Sequence, residues 1–175
     1  MLVKTIFAGF GGQGVLSMGL NLAESAMQEG KYTTYLPAYG AEVRGGTANC
    51  TIAVSDDEIA SPVASSPEYV VALNYPSAER FLNQVHTGGM LFINSSLVNI
   101  EVPRSDIEVV RVPASDTAEK LGSARSANMV MMGAFIRKTG LLPIESIISG
   151  LEKALKNKRK LLDINKEALL AGYNL

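Results

Sequence analysis

A glycine-rich turn between an apolar run and an amphipathic segment constrains the fold of this chain more than any other feature. Residues 3–8 form a short β-branched run, and Gly9-Phe-Gly-Gly-Gln-Gly14 follows it directly. Beyond the turn, apolar side chains recur every three to four residues, with a polar stripe at Ser17, Asn21, Glu24 and Gln28. That period predicts a helix ending near Gly30, and a second strand follows at 31–36. The segment therefore predicts a Rossmann-like first βαβ unit.

The glycine spacing Gly9-x-Gly11-x-x-Gly14 has two interpretations. Glycines after a strand let backbone N–H groups approach an anion at the start of a helix, as in dinucleotide-binding folds. Such folds also place an acidic residue at the end of the second strand, where this chain has Leu36-Pro-Ala-Tyr-Gly40. The alternative is a close-packed turn without a ligand, and the residues leave both open.

A second glycine-rich stretch, Tyr39-Gly-Ala-Glu-Val-Arg-Gly-Gly46, follows the second predicted strand. Ligands of open α/β sheets bind beyond the carboxyl ends of the strands, and a guanidinium there holds a carboxylate or phosphate with two hydrogen bonds. Arg44 is the candidate for that role. A surface loop in which Arg44 pairs only with Glu42 explains the same residues equally well.

Composition excludes several classes of protein. The chain has 175 residues, a formal net charge of −1, one cysteine and one histidine. The charge argues against nucleic acid as the main partner, and one cysteine excludes a disulfide framework or a self-contained iron–sulfur cluster. The start of the chain does not resemble a signal peptide, and the longest apolar run, 129–136, is too short for a membrane span. A cytoplasmic location without membrane contact is the expectation.

The remaining pattern predicts one layered α/β domain over residues 1–175. Short apolar runs at 69–73 and 90–93 are typical of parallel strands covered on both faces, and 107–112 continues the sheet. The alternating segment 48–54, followed by Ser55-Asp-Asp57, predicts a hairpin with 58–60. Helices are expected at 76–85 and 126–138, from Pro143, and from Asn165 to Leu170, with the basic run 156–160 at a helix C-terminus. The fold class is a mostly parallel sheet flanked by helices, with one hairpin excursion.

Few other residues are candidates for chemistry. Cys50 falls within a predicted strand on its buried face, which favours a core role, and His86 precedes Gly88-Gly89 at a helix end. Asn74 and Asn94 end buried strands and point toward the expected crevice, where helix capping is their common role. No catalytic residue and no metal ligand set is predicted.

The two glycine motifs together resemble those of the gamma subunit of the 2-oxoacid:ferredoxin oxidoreductases. That family's second motif usually has proline where this chain has Ala41. Three later stretches are similar as well: 67–73, Asn128-Met-Val-Met-Met-Gly133 and 165–172. By position, the resemblance implies that a ligand or a partner subunit contacts Gly11, Gly12, Gln13, Gly14 and Arg44, and that the subunit interface includes Tyr39, Glu42, Arg44 and Gly45.

The resemblance further implies a non-catalytic subunit within a complex that converts a 2-oxoacid to acyl-CoA, CO2 and reduced ferredoxin. Thiamine diphosphate, Mg and [4Fe-4S] clusters would belong to alpha and beta subunits, with a ferredoxin-like delta subunit as a further candidate partner. Coenzyme A would be a co-substrate bound nearby, and this chain alone would hold no cofactor. Two alternatives stay open: a freestanding nucleotide- or flavin-binding reductase, and a domain that binds an anionic small molecule.

Overall fold

The computed structural model describes residues 1–39 and 46–175, and a mixed six-stranded sheet forms the centre of the fold. The strands are β1 (Leu2–Phe10), β2 (Tyr32–Tyr39), β3 (Thr47–Ser55), β4 (Tyr69–Ala72), β5 (Met90–Asn94) and β6 (Glu108–Val112). Their order in the sheet is β2-β3-β1-β4-β5-β6. Strands β1, β4, β5 and β6 are mutually parallel, whereas β3 is antiparallel to both of its neighbours. The predicted α/β class with a mostly parallel sheet is confirmed.

Six helices cover the sheet. They are α1 (Val15–Gln28), α2 (Tyr75–Phe81), α3 (Ala114–Lys120), α4 (Ala127–Thr139), α5 (Ile144–Ala154) and α6 (Arg159–Tyr173), with short 3-10 turns at Leu82–Gln84 and Ala124–Ser126. Helix α3 has no counterpart in the sequence prediction, and α6 begins six residues before the expected Asn165. The basic run therefore does not lie wholly at a helix C-terminus, because Arg159 and Lys160 open α6. Within the part of the chain that is described, no helix combines the length and hydrophobicity of a membrane span.

The predicted hairpin pairs segment 48–54 with the wrong partner strand. Residues 58–60 form no strand, and the true hairpin joins β2 to β3. Strand β3 also pairs with β1 along nine residues, from Leu2 opposite Ser55 to Phe10 opposite Thr47, so β1 and β2 are not neighbours as in a plain βαβ unit. The reason is burial: β3 is covered over most of its length, and only a central position in the sheet covers it.

Alternating side chains divide the core between the two faces of the sheet. Ile6, Val70 and Leu91 face α2, whereas Phe7, Val71 and Phe92 face the other helices. On that second face the Phe135 ring of α4 meets the rings of Phe7 and Phe92 edge-on, with centroids 5.6 and 5.3 Å away. Helix α4 is buried from Met129 to Ile136, as its apolar sequence predicts.

Close helix contacts depend on two glycines. A Cβ at Gly133 of α4 would overlap the backbone of α6 at Leu169, and one at Gly172 would overlap the backbone of Val130. These two helices consequently cross with their backbones in near contact. Helix α1 differs from its predicted pattern at one position, because Asn21 of the polar stripe is only 6% exposed and lies beneath α5 at Gly150.

Candidate functional site

The carboxyl ends of β1, β4 and β5 meet at one edge of the sheet and surround a crevice of about 270 Å³. We call it the glycine-loop crevice. Parallel strands leave such an opening where their following segments diverge, and ligands of α/β proteins bind there. The residues that line it come from the loops after these strands and from the start of α3 and α4: Gly12, Gln13, Leu73, Asn94, Leu97, Ser115, Ala124, Arg125 and Ala127.

The loop after β1 adopts a conformation that needs glycine at two points. Gly12 has φ +93° and Gly14 has φ +76°, a region that side chains with a Cβ rarely occupy. Gly11 N–H donates to the carbonyl of Gly46 at 2.8 Å, which joins the two glycine-rich segments. Gly11 and Gly12 are both exposed, but the Gly11 N–H is used by Gly46, so Gly12 is the position whose backbone is open to a ligand or a partner.

Gln13 holds this loop to the neighbouring strand. Its Oε1 accepts a hydrogen bond from Phe10 N–H at 2.6 Å and another from Asn74 Nδ2 at 3.4 Å. Its Nε2 donates to the carbonyl of Leu73 at 3.4 Å. Both ends of the amide are thus engaged inside the protein. The assignment of Gln13 as a ligand residue stays a prediction, whereas its role in shaping the loop is direct.

Gly14 makes the closest approach of the loop to the helical layer. A Cβ there would overlap the amide of Asn128, whose Nδ2 donates to the Gly14 carbonyl at 3.3 Å. Asn128 stands at the start of α4, in the second of the three later stretches that resemble the family. The contact requires a residue without a side chain at position 14 and gives the Asn128 amide a hydrogen-bond acceptor.

Asn74 and Asn94, which follow β4 and end β5, each form hydrogen bonds with the first turn of a helix. Asn74 Oδ1 accepts from Ser77 N–H at 2.9 Å and so caps α2. Asn94 reaches across the crevice to the first turn of α3, where its Nδ2 donates to Ser115 Oγ at 3.0 Å. Capping is confirmed for Asn74, while Asn94 serves a helix that the sequence prediction did not contain.

Arg125 is a residue that sequence reasoning missed. It is exposed at the rim of the crevice, and its guanidinium forms no hydrogen bond or ion pair with any residue in 1–39 and 46–175. Arg125 belongs to no sequence motif. The fold alone places the turn at Ala124–Ser126, which contains it, at the crevice that Gly12 also lines. A guanidinium without an internal partner can bind two oxygens of an anion.

Exposed apolar side chains lie at the same edge of the sheet. Phe10 ends β1, Tyr39 ends β2, and Tyr75 and Leu97 follow β4 and β5, with exposures of 37%, 73%, 45% and 57%. Aromatic residues on an open surface are typical of protein interfaces. Tyr39 is thus accessible as its predicted interface role requires, while the predicted Glu42, Arg44 and Gly45 lie outside the described residues.

Cys50 and His86, the two other residues considered in the sequence analysis, do not line the glycine-loop crevice. Cys50 is fully buried, and burial raises the pKa of its thiol to about 12, so it stays a protonated core residue. His86 is exposed beside Ser66, with Nδ1 3.4 Å from Ser66 Oγ. Among the described positions, no three His, Cys, Asp or Glu side chains are grouped to hold a metal.

Comparison with known proteins relates almost the whole chain to one family. The family model described as pyruvate ferredoxin/flavodoxin oxidoreductase matches residues 4–175. Ketoisovalerate oxidoreductase subunit VorA of Methanothermobacter thermautotrophicus is 41% identical over 172 residues, which are 97% of this chain and 35% of the relative. The chain spans about a third of the length of the VorA relatives that it matches. 2-Oxoglutarate synthase subunit KorC of Methanothermobacter marburgensis is 36% identical, over 86% of this chain and 82% of the relative.

Solved structures share the fold. The gamma subunit of a keto/oxoacid ferredoxin oxidoreductase from Geobacter sulfurreducens has a TM-score of 0.84 at 25% identity, covering 98% of this chain and 96% of that one. 2-Oxoglutarate:ferredoxin oxidoreductase from Magnetococcus marinus has a TM-score of 0.90 at 22% identity, covering 99% of this chain and 30% of that one. The Magnetococcus structure contains 2-oxoglutarate, coenzyme A and succinyl-CoA.

Proposed function

This chain belongs to the pyruvate ferredoxin/flavodoxin oxidoreductase family, and we propose that it is the gamma subunit of a 2-oxoacid:ferredoxin oxidoreductase. One observation carries the proposal: the match runs along nearly the full chain and nearly the full length of a solved gamma subunit. The chain's own chemistry supports it, because the glycine-loop crevice combines exposed backbone and a guanidinium with no internal partner among the described residues.

The complex would decarboxylate a 2-oxoacid oxidatively. The acyl group passes to the thiol of coenzyme A, CO2 leaves, and two electrons reduce ferredoxin. Thiamine diphosphate, Mg and [4Fe-4S] clusters belong to the alpha and beta subunits and a delta subunit in this proposal. The present chain does not fit a cluster, because its single cysteine is buried and a cluster needs four thiolates.

The identity of the oxoacid belongs to those partner subunits. The relatives are named for different acids, ketoisovalerate in VorA and 2-oxoglutarate in KorC, although they share this domain. A domain common to enzymes of different substrates is a poor candidate for the acid pocket. The proposed role of this domain is to bind the catalytic subunits and so to form part of the assembled enzyme.

The glycine-loop crevice is the proposed contact with a catalytic subunit and with coenzyme A. Phe10, Tyr39, Tyr75 and Leu97 supply apolar contact area around it, while Arg125 and the Gly12 backbone supply groups that bind phosphate oxygens. Gly11, Gln13, Gly14 and Arg44 stay proposed members of this site, with Glu42 and Gly45 at the interface.

The test is co-expression with the alpha and beta subunits of a 2-oxoacid:ferredoxin oxidoreductase from the same organism. Purified alone, the chain should be colourless and should not reduce viologen with any 2-oxoacid. Co-purified, the complex should do so in the presence of coenzyme A. Bound flavin, stoichiometric iron, or activity of the isolated chain would contradict the proposal and favour a freestanding reductase.

Arg125 separates a ligand role from an interface role in the same experiment. Arg125→Ala should fold normally, because its side chain is exposed and forms no hydrogen bond or ion pair with the residues that the structure describes. A raised KM for coenzyme A with intact assembly would mark a phosphate contact, and weakened co-purification would mark the interface. Arg44→Lys, which keeps the charge but loses bidentate geometry, tests the second glycine segment in the same way. Wild-type values for both variants would remove the crevice from the proposal.

A further inference from the structure

A second depression lies among the helices, away from the sheet edge. It encloses about 300 Å³ between α1, α5 and α6, and we call it the α1/α6 groove. Half of its lining residues are apolar, and the polar half includes the carboxylate of Glu24 at the α1 side. The apolar members are Leu20, Met129, Leu151, Ala154, Leu155 and Leu161. It touches the glycine-loop crevice only at Arg125, which lines both.

The rim of this groove is apolar and open to solvent. Leu20 of α1 is 45% exposed, and Leu161 of α6 is 43% exposed on the opposite side. Further along α1, Met27 is 62% exposed in a shallow depression that also contains Lys153, and the exposed Glu24 lies between Leu20 and Met27. Exposed aliphatic side chains on two sides of one groove are typical of an interaction site.

Asn21 lines the groove with an amide that lacks partners. The residue is only 6% exposed, and neither Nδ2 nor Oδ1 forms a hydrogen bond with any residue in the described ranges. Buried polar atoms in native proteins are paired almost without exception. Since both atoms are also closed to solvent beneath Gly150 of α5, Asn21 is an unpaired amide in the wall of the groove and not a contact for a docked segment.

One end of the groove is strongly basic. Lys156, Lys158, Arg159 and Lys160 are all exposed where α5 gives way to α6. The ion pair within this cluster joins Arg159 Nε to Asp163 Oδ1 at 3.5 Å, and the lysines form none with a described carboxylate. Lys158 is the N-cap of α6, and Arg159 and Lys160 lie in its first turn.

That placement opposes the helix dipole. The N-terminus of a helix carries partial positive charge, so cations there destabilise the folded chain and repel one another. Helix α6 has no acidic residue in its first turn to compensate. The helix is held elsewhere, by buried Leu162 and by Lys166 Nζ, which contacts Glu152 Oε1 of α5 at 2.8 Å. Lys156 directly follows the end of α5, where a cation is favourable, whereas Lys158 and Lys160 are opposed by the dipole of α6 and suit an external anionic partner.

We propose that the α1/α6 groove docks an acidic amphipathic segment of another subunit of the complex, with aliphatic side chains in the groove and carboxylates on the Lys156–Lys160 cluster. The inference rests on the proposed function and names the chemistry of one of its partners. Nucleic acid fits less well, since a phosphate backbone offers no aliphatic side chains for Leu20 and Leu161 and the chain's net charge is −1.

The test uses the co-expressed complex and substitutions on either side of the groove. Leu161→Asp should reduce the amount of partner subunit retained on tagged chain at least tenfold, on the scale of an interface hot spot. Leu170→Asp is the matched control, because Leu170 lies on the same helix with 40% exposure and outside the groove. Circular dichroism melting of each variant establishes that it is folded.

The double variant Lys158→Glu, Lys160→Glu provides a second route that does not depend on the apolar contact. It should slow association several-fold at low salt, and the difference from wild type should shrink as salt is raised. A photo-crosslinker at position 161 should attach to a partner peptide rich in Asp or Glu.

The outcomes separate this inference from the proposed function. If the tagged wild-type chain retains none of the co-expressed subunits, the gamma-subunit proposal fails. If the complex forms and both groove variants assemble like wild type, docking in the groove is excluded while the gamma-subunit proposal stands. Tight binding of a labelled DNA duplex that is lost in the lysine double variant would assign the cluster to nucleic acid and overturn the inference.

Discussion

Helices α1 and α6 begin in opposite chemical settings. Helix α1 starts at Gly14, with no side-chain cap and no charged residue in its first turn, beside the glycine-loop crevice. Helix α6 starts at Lys158, also without a side-chain cap, but with Arg159 and Lys160 in its first turn. The first arrangement leaves the backbone itself accessible, and the second surrounds a helix start with side-chain cations. The two helix starts thus present positive potential by different means, backbone at α1 and side chains at α6, and substitution can separate their effects.

The largest effect is expected at the start of α1. Gly14→Val forces a β-branched residue to φ +76° and drives its side chain into Asn128, which should lower the free energy of unfolding by about 2–5 kcal/mol. Urea unfolding monitored by circular dichroism measures it. Gly12→Ala is the matched control: it has positive φ but no atom within 4 Å of the new Cβ, so about 1–2 kcal/mol is expected. Equal losses in the two variants would show that Asn128 is not the obstacle.

Gln13 comes next, because its amide holds the loop before α1. Gln13→Ala removes hydrogen bonds to Phe10, Leu73 and Asn74 and should destabilise the chain by about 1–3 kcal/mol. Hydrogen exchange of the Phe10 amide should quicken as well. Gln84→Ala, at a position where no side-chain hydrogen bond is formed within the described residues, should change little. An unaltered Phe10 exchange rate would refute the role of Gln13 in shaping the loop.

At the start of α6, by contrast, replacing the N-cap lysine with an acidic residue should stabilise the isolated chain. Lys158→Asp supplies an N-cap acceptor and a favourable charge, with an expected gain of about 0.5–2 kcal/mol. Lys153→Glu is the control of opposite sign, because Lys153 lies in the last turn of α5, where a cation is favourable. Its loss should be about 0.3–1 kcal/mol. A destabilised Lys158→Asp chain would mean that the basic cluster contributes to folding and would break the contrast between the two helix starts.

The smallest effect on stability is expected at Asp106, which lies away from both helix starts. Hydrogen bonds from Arg104, and then from Thr87, lower the pKa of Asp106 to about 2. A carboxylate whose pKa is lower in the folded chain stabilises it above the unfolded value of about 4, and this contribution is lost as pH falls toward 2. Asp106→Asn should therefore flatten the pH dependence of the melting temperature across that interval. A slope equal to that of wild type in Asp106→Asn would contradict the role assigned to these hydrogen bonds.

Local sequence predicted the elements whose periodicity is strong. The glycine turn followed by α1, the continuous apolar runs of β4 and β5, and the buried α4 all lie where the pattern indicates, because burial on one or both faces leaves a direct trace in residue order. Helix α3 left no such trace. Only its Ala114 and Ala118 are buried, which is too short an apolar row to distinguish from a loop.

The amino-acid sequence by itself determined the α/β class, the glycine loop and the family, since these depend on neighbouring residues and their spacing. Only the tertiary structure decided that β3 separates β1 from β2, that Gly14 meets Asn128, and that Arg125 stands at the glycine-loop crevice. The last two join residues more than a hundred positions apart. Such contacts arise from how buried faces share one sheet, and a single sequence contains no local signal for that choice.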